Sequence, residues 1–119
     1  MYISESDKAM IRQLIEKQLQ AFQQQDEAMA FSLTSPTIQQ KFDRQSFMSK
    51  VKGKYSAMIQ PRSIMFRGFT LVNNFPALVS TVMDRDGDLA QGIFIVQHQQ
   101  DYSWRIHGYE LVPIDEKII

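Results

Sequence analysis

The spacing of apolar residues changes once along this chain, at Pro61, and that change constrains the fold more than any other feature. Over residues 3–58 apolar side chains recur at intervals of three and four, the period of a helix. Over residues 63–114 they alternate every second position and are punctuated by turn dipeptides, the grammar of strands. Helices first and strands afterwards predict an α+β domain: N-terminal helices packed on a curved, mainly antiparallel four-stranded sheet, rather than the alternating units of a parallel sheet.

The helical half has its own punctuation. Ser4 or Ser6 is placed to cap a first helix whose stripe is Ile11, Leu14, Ile15, Leu19 and Phe22, with Gln18 near the middle of the stripe. Asp26 begins a second, short helix. Ser35-Pro36 begins a third, because proline at the first helical position loses nothing by lacking an amide hydrogen. Asp43 begins a fourth, expected to run through Phe47, Met48, Val51, Tyr55, Met58 and Ile59 despite the roughly 1 kcal/mol that Gly53 costs relative to alanine. Pro61 ends it, since the residue before proline is pushed out of the helical region.

Strands are expected at 64–72, 77–84, 89–98 and 104–112, with turns at Asn73-Asn74, Asp86-Gly87 and Asp101-Tyr102. Two-residue turns at the last two would set Leu78 opposite Ile95, Ser80 opposite Ile93 and Ile93 opposite Glu110. One face then gathers Leu78, Val82, Ile93, Ile95, Trp104 and Ile106 with Glu110. The other gathers Val79, Phe94, Val96, His98, Arg105, His107 and Tyr109. Both faces carry apolar rows, so the second calls for cover, and another copy of this chain is the expected cover. A slip of one residue would send Trp104 and Glu110 to the other side and bring His107 and Tyr109 inward.

Length and composition bound the rest. A chain of 119 residues is expected to form one domain over 1–119, burying roughly two thirds of its unfolded surface. At 44% hydrophobic and 22% charged residues it is not of disordered composition. With no cysteine, disulfides and thiolate metal sites are excluded, which fits a reducing, cytoplasmic location. No leader or membrane-spanning run is read. The formal net charge is zero, yet Lys41, Arg44, Lys50, Lys52, Lys54 and Arg62 stand against Asp43 alone, whereas residues 63–119 hold four basic and seven acidic residues. The basic stretch reads as a solvated helix face rather than a nucleic-acid surface, because no exposed aromatic platform accompanies it.

Several pieces together resemble a known family: Ser35-Pro36-Thr37-Ile38 with Phe42, the helix over 47–55, Pro61 after it, and Trp104-Arg105-Ile106 followed by Gly108. In that order they resemble the nuclear-transport-factor-2-like superfamily, and more narrowly a bacterial family within it described only as a domain of unknown function. Tyr102-Ser103 stands where that pattern has Asp-Gly before the tryptophan. The resemblance implies a cone-shaped α+β fold, frequent homodimers, and a pocket between helices and sheet that related enzymes use.

No sequence fingerprint fixes an activity. Asp84-Arg85-Asp86-Gly87-Asp88 has its glycine too early for a calcium loop. His98 and His107 lack a joining carboxylate, so no metal is expected, and no dinucleotide, phosphate-loop or hydrolase motif occurs. The expected ligand pocket is lined by Gln18, Tyr55, Trp104 and Glu110. The expected dimer interface comprises Val79, Phe94, Val96, His98, Arg105, His107 and Tyr109. The leading reading is a non-enzymatic, dimeric, pocketed domain that binds a small molecule or a protein partner, without cofactor, nucleic acid or membrane. The alternative is an isomerase or cyclase with Glu110 as proton acceptor and Tyr55 or Gln18 as hydrogen-bond donor.

Overall fold

A computed structural model describes residues 3–114 as five helices followed by four strands: α1 (Glu5–Gln23), α2 (Glu27–Ser32), α3 (Pro36–Lys41), α4 (Arg44–Lys54), α5 (Ser56–Ile59), β1 (Ser63–Val72), β2 (Phe75–Met83), β3 (Leu89–His98) and β4 (Trp104–Pro113). The strands form one antiparallel sheet in the order β1-β2-β3-β4, with the helices against one face, which is the α+β architecture expected. The caps are where the sequence puts them. Ser4, Asp26, Ser35 and Asp43 each accept an amide three residues on, and Ser46 returns a bond to the amide of Asp43 to complete a capping box. Hydrogen bonding to the Asp43 carboxyl from Ser46, its amide first and its hydroxyl second, holds that carboxyl below its ordinary pKa.

The fourth helix is shorter than its pattern predicts. It stops at Lys54, Tyr55 leaves the helical region, and α5 restarts at Ser56. The break re-aims Met58 and Ile59 into the interior, where both are buried. Met58 lies against the sheet so closely that a methyl group at Gly92 would come within 3.1 Å of its Cγ.

The turns correct the expected register. Asp84 and Asp88 close the second hairpin through an amide-to-carbonyl bond around three residues, while the Asp84 carboxylate accepts from the amides of Asp86 and Asp88. Gly87 takes the left-handed position (φ +87°). This longer loop sets Leu78 opposite Phe94 and Val79 opposite Ile93, one residue away from the expected pairing. The third hairpin also has three loop residues, Tyr102 being the left-handed one, and gives His98 opposite Trp104. A bulge between Ile95 and Val96 then restores the expected pairs Ile95–Gly108 and Ile93–Glu110.

That bulge changes which side chains share a face. Ile106 and Tyr109, even and odd, both join the helix-facing core, with Leu78, Phe94, Val96 and Trp104. Glu110 therefore does not share a face with Trp104, and Phe94, Val96 and Tyr109 do not lie on the outward face. Two clusters make up the core. One joins the Ile11–Leu19 stripe of α1 to the sheet; the other joins α1, α2, α4 and α5 through Phe22, Ala30, Phe47, Met48, Val51 and Ile59. Each fully buried aliphatic side chain contributes about 1.5 to 3 kcal/mol, so a change such as Ile15→Ala would remove a large share of net stability. Tyr55 and Tyr109 touch both clusters and tie them together.

Candidate functional site

Between helices and sheet, Gln18, Tyr55 and Tyr109 come together. Gln18, 1% exposed, donates from Nε2 to the carbonyl of Ala30 (3.1 Å) and accepts from the Tyr109 hydroxyl (2.7 Å). Tyr109 is partly exposed as a whole residue, but its phenol end lies inside; burial pushes its pKa well above the ordinary value, only partly offset by the bond to Gln18. The Tyr55 ring lies 5.4 Å from the Tyr109 ring. Of the four residues expected to line a pocket, then, Gln18 and Tyr55 come together, and the group that joins them is Tyr109. Trp104 packs in the α1–sheet cluster. Glu110 is exposed on the opposite side of the sheet. The signal for Tyr109 was the one-residue slip; the bulge at Ile95–Val96 applies that slip to half of β4 alone.

Side-chain satisfaction decides what this interior can do. Both ends of the Gln18 amide are engaged within the chain, so this amide is not left free to recognise a ligand. The proton-acceptor role needed by an isomerase would fall to a carboxylate that lies outside. A cleft of about 220 Å³ does open at the helical end, floored by Ala21, Phe22, Met48 and Ile59 and rimmed by the Lys52–Glu27 ion pair (3.0 Å). Small-molecule sites run from about 300 to 1,000 Å³ with convergent polar groups, so this cleft falls short; wider, open clefts of about 660 to 720 Å³ lie on the surface along α4 by Phe42 and Lys50, by the β3–β4 hairpin at Gln97 and Arg105, and by Phe31 and Arg44.

The two histidines are held apart. His107 Nδ1 lies 2.9 Å from Ser35 Oγ, its ring lies 4.5 Å from the Phe75 ring at a tilt of 40°, and partial burial lowers its pKa. Ser35 is fully buried and caps α3 with the same oxygen, so this Ser–His contact fastens α3 to β4 and leaves no accessible nucleophile. The fastening continues in the backbone, where residues 33–35 bond to Ile106 from both sides. His98 stacks on Trp104 at 4.4 Å. Trp104 Nε1 is buried without a hydrogen-bond partner among the described residues. Among those residues no group of three or more His, Asp or Glu could hold a metal ion, and no helix is long and apolar enough to cross a membrane.

The basic stretch is largely occupied with itself: Lys41 and Lys50 lie over the Phe42 ring, Lys54 lies over Tyr55, and Lys52 pairs with Glu27.

The outward face of the sheet is different. Its residues fall into three rows across all four strands, read directly from the register. The central row is Gly68, Val79, Ile93 and Glu110, with Arg67 in the bulge beside Gly68. Arg67 donates from Nε to Thr81 Oγ1 (3.0 Å), which holds its guanidinium on this face. On one side lies the row Met65, Thr81, Gln91, Val112; on the other, Thr70, Ala77, Ile95, Gly108. Val79 and Ile95 are half-buried, and Met65 and Val112 are 56% and 47% exposed. None of these side chains joins either core cluster, so among the described residues no helix covers them. Of the residues expected at an interface between copies, Val79 lies in this face, His107 and Arg105 lie toward the α3 edge of β4, His98 lies at the hairpin beside Trp104, and Phe94, Val96 and Tyr109 are core.

Comparison with curated proteins and with solved structures gave no match. A family model does match, over residues 4–119, and by that match the chain belongs to the family described as Domain of unknown function (DUF4864).

Proposed function

We propose that this protein is a non-enzymatic assembly domain that functions as a homodimer through the outward face of its sheet. The observation that supports this reading is the row set centred on Val79, Ile93 and Ile95, which joins neither core cluster; Ile93 is 9% exposed, Val79 and Ile95 more. An antiparallel sheet with helices on one side ordinarily presents polar residues on the other, and this one presents aliphatic side chains ringed by Arg67, Thr70, Gln91 and Glu110. Ten-residue strands at about 3.3 Å per residue and four strands about 4.8 Å apart give a face of roughly 600 Å² per copy. Doubled, that is near the lower end of stable protein interfaces. A nuclear-transport-factor-2-like cone is the fold we assign to the subunit; helices on one face of a four-stranded antiparallel sheet are compatible with it.

The interior supports a binding role over a catalytic one, since Gln18 and Tyr109 satisfy one another and the Glu110 carboxylate lies on the other face. The protein partner is therefore the reading carried forward, and a small-molecule pocket is not. The test is Ile95→Asp. Placing a carboxylate on the outward face should leave the far-UV spectrum and cooperative melting intact while converting a dimer to monomer in light-scattering chromatography. An unchanged dimer would reject this face as the interface.

A further inference from the structure

We propose, building on the dimer reading above, that the second copy sits across a two-fold axis running parallel to the strands between β2 and β3, with each Arg67 meeting the partner's Glu110. The register carries this. Rotation about such an axis sets β1 of one copy over β4 of the other and β2 over β3, with each row facing itself reversed. The central row, cation at one end and anion at the other, then pairs Arg67 with Glu110 twice and Val79 with Ile93 twice. The second row brings the two most exposed apolar residues of the face together, Met65 against Val112, and sets Thr81 against Gln91. The third sets large against small, Ile95 against Ala77, with Thr70 over Gly108.

The competing face-to-face symmetry, an axis running across the strands along the central row, fails on the same residues. It would place Arg67 on Arg67 and Glu110 on Glu110, and like charges directly opposed are destabilising. It would also leave Met65 over Thr70 and Val112 over Gly108. Charge, exposure and size thus all select the axis along the strands. Sheets packed in this way keep their strands within about 30° of parallel, the angle set by their twist.

Charge exchange tests this arrangement. Arg67→Glu, Glu110→Arg and the double variant R67E/E110R are compared with wild type by sedimentation equilibrium. Both positions are exposed, so the variants are expected to fold, with far-UV spectra as the check. Each single reversal should raise the dimer dissociation constant by about tenfold or more, and the double should return it to within about threefold of wild type. A dimeric wild type whose double variant shows no recovery would overturn the axis while leaving the dimer reading standing. A monomeric wild type would overturn both. Should a reversal disturb folding, Arg67→Gln with Glu110→Gln supplies the second readout: the salt dependence of dissociation should be lost relative to wild type, and its persistence would count against the pairing.

Discussion

Phe94 and Ile95 are neighbours on β3 with similar appetite for a buried place, yet they point to opposite sides of the sheet and meet different fates. Phe94 is 1% exposed, set edge-on to Tyr109 at 6.1 Å between the sheet and α1. Ile95 lies across Gly108, outside both core clusters and with no helix over it among the described residues. The same contrast holds for whole faces. Toward the helices the Trp104 indole nitrogen is the one fully buried side-chain polar atom without a partner among the described residues; away from them aliphatic rows are rimmed by Arg67 and Glu110, neither in an ion pair among the described residues. The difference separates strand hydrophobicity that folds the chain from strand hydrophobicity that, on the reading proposed above, associates it.

The sharpest way to separate the two faces is one substitution on each. Phe94→Asp would bury an unpaired carboxylate and empty an aromatic site, a loss of about 3 to 5 kcal/mol or more, and should abolish cooperative melting by circular dichroism. Ile95→Asp, one residue along, should melt cooperatively as a monomer. If Phe94→Asp folds normally, the assignment of faces is wrong.

How far this was legible beforehand is clear from the same strand. Helix order, caps and strand limits follow from local chemistry: Ser35-Pro36, Asp43 with Ser46, the change of period at Pro61. The fold class follows with them. What the residues alone did not fix was register, because it depends on whether Asp86-Gly87 and Asp101-Tyr102 close loops of two residues or three. The Asp84 carboxylate decides the first by bonding two loop amides, and the αL conformation of Tyr102, a large aromatic where Gly or Asn would be usual, decides the second. Each extra residue exchanges the two faces, and the bulge at Ile95–Val96 exchanges them back for half of β4. Hence Glu110 and Phe94 traded places between the expected pocket and the expected interface. Gln18 was recognisable as a polar residue needing a buried partner; that the partner is Tyr109 required the bulge.

A second effect, smaller than the first, sharpens the picture of the covered face. Tyr109→Phe removes the donor to Gln18 Oε1 and leaves a buried carbonyl unsatisfied, which should cost about 1 to 3 kcal/mol in a denaturant titration. Gln18→Leu should cost a similar amount. The double variant should cost less than the sum, because the two losses are one hydrogen bond. Tyr109 also gives this face an alkaline limit. Its folded pKa lies above the unfolded value of 10.0, so the folded state keeps a proton that the unfolded state loses. Stability is full below pH 10 and falls as the pH rises past it, a fall that Tyr109→Phe should reduce.

The smallest expected effect belongs to the α3 edge. Partial burial lowers the folded pKa of His107 below 6.5, so the unfolded chain binds the proton more readily. The contribution of this group is complete above pH 6.5 and declines as the pH drops through the lowered folded value. His107→Gln should flatten that part of the melting-temperature profile between pH 7 and 5. An unchanged slope would show that His107 stays as solvated as in the unfolded chain.

Sedimentation equilibrium of the wild-type protein, followed through a dilution series across micromolar concentration, tests association through the outward face most directly. The expected result is a mass twice that of the 13.8 kDa chain, dissociating on dilution and restored at higher concentration. A single species at the mass of one chain throughout the series would contradict it.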